Sequence, residues 1–238
     1  MRRLMSLSAA ALVLGILVTP VASAQQSFNL FLGGFTPRGM DARGTDDVLF
    51  QDAADQQVTL NRSNGIDVSE FNGFTIGGEY LVAIGRHAEA GLGLGFYQKG
   101  VTTTYSDVVH PDGSNILQDL KLRIIPFSAT FRFLPLSHNA PIQPYVGAGV
   151  GVFVWRYSET GEFVDSAGNI FPDTLVGSGG EAGPLVLGGV RFPIGSLGVG
   201  GEIRWQHANA TLPSDQGFLG QKIDLGGVSY LFTMNFKF

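Results

Sequence analysis

The last segment of the chain alternates with a period of two. Val228, Tyr230, Phe232, Met234, Phe236 and Phe238 fall on one side, and Gly227, Ser229, Thr233, Asn235 and Lys237 on the other, with Leu231 alone breaking the polar set. Side chains two residues apart share a face only in extended backbone, so the pattern predicts a β-strand with one apolar and one polar face. The same period recurs upstream and predicts eight strands, at 27 to 36, 70 to 84, 88 to 104, 118 to 134, 142 to 157, 181 to 194, 197 to 208 and 224 to 238.

The connections alternate in length. Long or moderate ones run from 37 to 69, 105 to 117, 158 to 180 and 209 to 223; short ones lie at Gly85-Arg86-His87, Ser137-His138-Asn139 and Gly195-Ser196. A membrane barrel has short turns on the periplasmic side, longer loops outside and an even strand count that puts both termini on the short-turn side. The expected fold is therefore all-β, an eight-stranded antiparallel up-and-down transmembrane β-barrel with short periplasmic turns and longer extracellular loops. A soluble barrel of the lipocalin type has the same alternation with its apolar face turned inward.

Two interruptions bear on this reading. From Phe133 to Trp155 no Asp, Glu, Lys or Arg occurs, a length that suits a membrane helix, but Pro135, Pro141 and Pro144 break it, and Gly alternates with Val or Ala beyond Tyr145. In the fourth strand the apolar set passes from Leu120, Leu122 and Ile124 to Phe127, Ala129, Phe131 and Phe133. A β-bulge at Pro126 is the expected cause. The fifth strand offers two apolar faces, Val146 to Val154 and Tyr145 to Tyr157, and the first of these carries Arg156.

Composition narrows the class. Gly supplies 34 of 238 residues, twice the usual share of about 7%, a burden that strands bear better than helices. Cys is absent and the formal charge is −5, which argue against a disulfide-stapled fold and against a nucleic-acid partner. Arg2 and Arg3, the apolar run Leu7 to Pro20 and Ala22-Ser23-Ala24 form the three parts of a signal peptide. Residues 1–24 are thus expected to be cleaved after export by the general secretory route, leaving 25–238 as one barrel domain.

The ending Met234-Asn235-Phe236-Lys237-Phe238, the run Pro144-Tyr145-Val146-Gly147-Ala148-Gly149-Val150-Gly151, the segment Gly200-Gly201-Glu202-Ile203-Arg204-Trp205 and Asp224-Leu225-Gly226-Gly227 carry a resemblance. The chain resembles the outer-membrane β-barrel superfamily that includes the OmpA, OmpX and OmpW transmembrane domains. The resemblance implies the outer membrane of a Gram-negative-type bacterium, contact with outer-membrane lipid and lipopolysaccharide, and a monomer. It also implies insertion by the barrel-assembly machinery, with Tyr230, Phe232, Phe236 and Phe238 as the assembly signal. The glycine usual five residues before the end of that signal is replaced, with Thr233 and Met234 there.

With the apolar face to lipid, the lumen is expected to hold Glu79, Lys121, Arg123, Arg132, Arg191, Glu202, Arg204 and Lys237. Eight strands leave an interior that side chains fill, so these charges form either a paired plug or a narrow conduit whose six basic residues against two acidic ones favour anions. Gly91, Gly93 and Gly95, like Gly147, Gly149 and Gly151, would make room on the inner face. Phe96, Tyr97, Trp155, Tyr157, Trp205, Phe236 and Phe238 stand near strand ends, where aromatic girdles lie.

No catalytic group, cofactor or metal site is expected. Arg204-Trp205-Gln206-His207-Ala208-Asn209 is faintly similar to the His-x-Ser segment of lipid A deacylases, but Asn209 takes the place of the nucleophilic serine. His87, His110 and His138 lack metal-ligand spacing. The first loop holds Asp41, Asp46, Asp47, Asp52, Asp55 and Asp67 with Arg38, Arg43 and Arg62, read as solvated charge or as a divalent-ion bridge to lipopolysaccharide. Within it, Asp47-Val48-Leu49-Phe50 suggests a hairpin or a contact with an outside partner. Two functions remain: a structural or surface-interaction barrel with a charged, filled lumen, and an OmpW-like channel for small or apolar solutes. A lipid A-modifying enzyme is the remote third.

Overall fold

The structure, a computed structural model, describes residues 25–54, 57–59, 68–165 and 167–238. The expected signal peptide lies outside these residues, as do Asp55, Arg62 and Asp67. The wall consists of β1 (Gln26–Pro37), β2 (Gly73–Ile84), β3 (Ala88–Val109), β4 (Asn115–Phe133), β5 (Gln143–Val164), β6 (Ile170–Ile194), β7 (Leu197–Gln206) and β8 (Gly227–Lys237). Each strand pairs antiparallel with the next, and β8 pairs with β1 from Ser27↔Lys237 to Pro37↔Gly227, so the sheet closes. At the level where all eight strands pair, closure removes the sheet edges and satisfies the ladder hydrogen bonds that a bilayer cannot satisfy.

The outward set is apolar around the ring: Phe28, Leu30, Leu32, Ile76, Leu92, Leu94, Phe127, Phe131, Val146, Val150, Val186, Ile203, Tyr230 and Phe232 are all exposed. The inward set at the same level holds Asn29, Glu79, Thr130, Arg132, Arg191, Glu202, Thr233 and Asn235, all buried. This arrangement inverts that of a soluble barrel and decides the alternation in favour of a membrane wall.

The wall is uneven in height. β3, β4, β5 and β6 have 22, 19, 22 and 25 residues, whereas β1, β2, β7 and β8 have 12, 12, 10 and 11. A tilted strand crosses a bilayer in about 9–11 residues, so the four long strands rise beyond it on the long-loop side. The connections expected at 105–117 and 158–180 are largely strand, reduced to tight turns at 110–114 and 165–169.

Pro126 marks no bulge. Leu94↔Phe127 and Tyr97↔Ile124 keep one register with β3, and Ile125↔Val154 and Phe127↔Val152 keep one register with β5. What changes there is the surroundings. Below Pro126 the outside is lipid and the inside polar; above it Leu120, Leu122 and Ile124 turn inward to an apolar filling while Lys121 and Arg123 turn outward. The register between β3 and β4 shifts higher up, between Thr104 and Val109.

Candidate functional site

The lumen is the candidate site, and it has two layers. The lower layer is ionic. Glu79 on β2, Arg132 on β4, and Glu202 and Arg204 on β7 meet at one level because their strands bring inward positions together around the ring. Arg132 pairs with Glu79, and its Nη2 lies 2.9 Å from Glu202 Oε2. Arg204 donates from Nε and Nη2 to Glu202 Oε1 at 2.9 and 2.7 Å, and Thr130 donates to Glu79 Oε1 at 2.6 Å. The Tyr145 hydroxyl donates to Glu202 Oε2 at 3.1 Å, while Arg132 and Arg191 lie 4.8 and 5.6 Å from its ring centroid. Nearer the periplasmic end, Arg191 grips Glu89 bidentately at 2.8 and 3.1 Å, and His138 Nδ1 stands 3.3 Å from the same carboxylate.

These buried charges balance. Glu79, Glu89 and Glu202 face Arg132, Arg191 and Arg204, all buried. Unpaired charge would be costly here, and the neutral network offsets that cost with bidentate and shared hydrogen bonds, while Arg132 bonds through Nη2 alone and leaves Nε and Nη1 without protein partners. Of the residues expected in the lumen, Lys121 is exposed and Arg123 half-buried on the outer wall. Lys237 lies on the inner face at the periplasmic rim, beside Ser27. The buried layer thus holds three basic residues against three acidic ones, with Lys237 alone in excess at the rim, and the ground for anion selectivity is lost. Glu89 and Tyr145 are the functional positions that sequence reasoning missed. Their parity gives them away, since Glu89 falls in phase with Gly91, Gly93 and Gly95, and Tyr145 with Gly147, Gly149 and Gly151. Gly91 makes the room foreseen: a Cβ there would stand 2.5 Å from Glu79 Oε1 and 2.6 Å from Thr130 Oγ1.

The upper layer is apolar. Phe35, Tyr97, Leu120, Leu122, Ile124, Phe153, Trp155 and Tyr157 line it, and Val48, Leu49, Phe71, Ala210, Ile223 and Leu225 descend into it from the loops. Tyr97, Trp155 and Tyr157 are therefore lumen residues and not parts of an aromatic girdle; Phe96, Trp205, Phe236 and Phe238 do face outward. The run beginning at Asp47 is not a hairpin but the start of a short helix, Val48–Ala54, with Val48 and Leu49 fully buried. Each such side chain contributes roughly 1.5–3 kcal/mol on leaving water. Between the two layers remains a cavity of about 30 Å³ bordered by Phe31, Thr75, Ser128, Leu185, Arg204 and Leu231.

Polar latches hold this plug. Asp47 accepts from Arg43 Nη1 with both carboxylate oxygens, at 2.8 and 2.9 Å, and from the Asp224 backbone N–H at 2.6 Å, tying the first loop to the last. Burial pushes the Asp47 carboxyl up, opposed by the Arg43 charge. Arg38 adds an ion pair to Asp224 at 3.0 Å and meets His207 Nδ1 at 3.1 Å. On the tall wall above the bilayer, Tyr157 donates to Asp52 at 3.0 Å. Burial pushes the Glu159 carboxyl up to about 7.

Among the described residues no three His, Asp or Glu side chains gather as a metal would need. Tyr230, Phe232, Phe236 and Phe238, the residues expected to form the assembly signal, all point outward.

Neither a family model nor a curated protein matches the chain in sequence. Solved structures do match in fold. The outer membrane protein OprG of Pseudomonas aeruginosa has a TM-score of 0.51 at 10% identity, over 91% of this chain and 96% of that one. Ail, the attachment invasion locus protein of Yersinia pestis, solved with the heparin analogue sucrose octasulfate, gives 0.45 at 10% identity over 91% and 100%. Neisserial surface protein A gives 0.44 at 14% identity over 91% and 98%. The fold of this chain is that of the eight-stranded outer-membrane β-barrels.

Proposed function

From the fold of an outer-membrane β-barrel, we propose that this protein is a closed barrel of the Gram-negative outer membrane with a structural and surface-presenting role and no catalytic one. The observation that carries the reading is the double seal of the lumen. A charge-balanced layer centred on Glu79, Arg132, Glu202 and Arg204 lies beneath an apolar plug, with a cavity of about 30 Å³ between them. An ion would have to shed its hydration to enter the plug and then break charge pairs below it, and both steps are costly. The tall wall of β3 to β6 stands above the bilayer as a rigid surface for contacts outside the cell.

A second reading, a conduit for small apolar solutes, draws on one feature. β7 ends at Gln206 opposite Leu185, while β6 continues upward to Ile170, so an apolar upper lumen adjoins a stretch of wall closed by loop. There Gly177 and Gly183 lie against Leu212 and the His207 carbonyl. A solute leaving sideways would have to displace this segment.

Solute uptake into liposomes carrying the folded protein separates the readings. The closed-barrel reading expects no uptake of small sugars or of apolar probes above that of protein-free liposomes. Protein-dependent uptake of apolar probes alone would establish the second reading, and uptake of sugars would contradict both.

A further inference from the structure

Arg123 on β4 and Arg156 on β5 are register partners on the outer wall. Lys121, one inward-facing residue away, pairs with Ser158, and Arg123 has Gln98 opposite it on β3. Lys121 and Arg156 are exposed and Arg123 half-buried. Like charges directly opposite in a sheet repel, and a carboxylate nearby would relieve them. The outward register neighbours are instead Gln98, Gly100, Ser158 and Ser178; Asp119, two residues from Lys121 on the same face, accepts from Thr102 at 2.6 Å, and among the described residues none of the three cations has an ion-pair partner. The five side chains Gln98, Lys121, Arg123, Arg156 and Ser158 border a depression of about 290 Å³.

The level of this cluster gives it meaning. Arg123 is ten residues along β4 from Phe133; at about 3.4 Å per residue and a tilt near 40°, it stands about 26 Å higher, at the top of an apolar band about 25 Å tall. Directly below it on the same strands begins a lipid-facing groove of about 1060 Å³, whose upper end is Phe96 and Ile125 and whose floor includes Leu94, Phe127 and Val152. Long loops mark this end as the outer leaflet. A site with unneutralised arginines above and an acyl-sized apolar trough below is complementary to an amphiphile with an anionic head.

We propose that the cluster and groove bind a phosphorylated glycolipid of the outer leaflet, with its phosphate between Arg123 and Arg156 and its acyl chains along Phe96, Ile125, Phe127 and Val152. Arginine suits the role because its planar fork donates two hydrogen bonds to one phosphate. Gln98 and Ser158 add neutral donors, and Lys121 a second charge. The site rests on the outer-membrane reading, and it explains why three cations collect on the lipid side of a barrel whose inner charges balance.

The test uses protein purified from outer membranes in mild detergent and titrated with bisphosphorylated lipid A, its dephosphorylated form, or inorganic phosphate, with bound molecules counted by native mass spectrometry. Lipid A should bind at least about tenfold more tightly than either of the other two, and Arg123→Gln/Arg156→Gln should lose about that factor. Equal binding of the dephosphorylated lipid, or binding of inorganic phosphate as tight as that of lipid A, would overturn the proposal. Both comparisons use the unaltered protein, so they decide the matter even where the double variant fails to show the heat-shifted mobility of a folded barrel. Ion conduction would contradict the closed lumen without touching this site, so the two failures are distinguishable.

Discussion

Glu79 and Arg132 form an ion pair across the lumen in which neither side chain keeps any exposed surface. Arg132 also holds Glu202, so its removal leaves two buried carboxylates short of a cation. Loss of one partner from a buried pair costs about 3–5 kcal/mol. Arg132→Met should fall in that range, and Arg191→Met, which leaves only Glu89 without its arginine, should cost less. Urea unfolding in detergent, followed by tryptophan fluorescence, measures both.

Gly91 owes its place to the Glu79 carboxylate. Valine there brings its Cβ to 2.5 Å from Glu79 Oε1 and should destabilise by about 1–3 kcal/mol through overpacking. Gly34 has no atom within 4 Å of the corresponding position, and Gly34→Val should leave stability nearly unchanged. A loss of equal size at both sites would show that the inner packing is not the cause.

The Glu159 carboxyl is raised by burial from 4.5 to about 7, so the folded protein holds this proton more tightly than the unfolded chain does. Stability from this group is complete below about pH 4.5 and is lost as pH rises through 7, a change of about 3 kcal/mol. Glu159→Gln should flatten the slope across that window. Unfolding midpoints between pH 4 and 8 give the comparison.

Asp47 joins two loops through Arg43 and the Asp224 backbone. Asp47→Ala should free the plug without opening the wall: protease cleavage near the short helix rises about tenfold, while the heat-shifted mobility of the barrel persists. Unchanged cleavage would mean that apolar contacts alone hold the plug.

Much of the architecture is legible in the sequence because lipid outside and side chains inside enforce a strict period of two. The eight strands, the short turns and the outward Tyr230, Phe232, Phe236 and Phe238 follow from that period. It fails where the surroundings change. Above Pro126 the inside becomes apolar and the outside polar, and the resulting phase inversion resembles a bulge and misassigns Lys121 and Arg123 to the lumen. Tyr97, Trp155 and Tyr157 depart from the girdle for the same reason, since an aromatic near the membrane surface can face either a girdle or a plug. Glu89 stands next to a turn at the start of its strand, where only its phase with Gly91, Gly93 and Gly95 marks it as inward. The partner of Val48 and Leu49 is a lumen assembled from distant strands, which no local pattern encodes.

Single-channel recording of the folded protein in a planar bilayer tests the sealed lumen most directly, with heat-shifted gel mobility as the measure of folding. A sealed lumen leaves the membrane silent at potentials where open porins conduct. Steady, protein-dependent openings would contradict it.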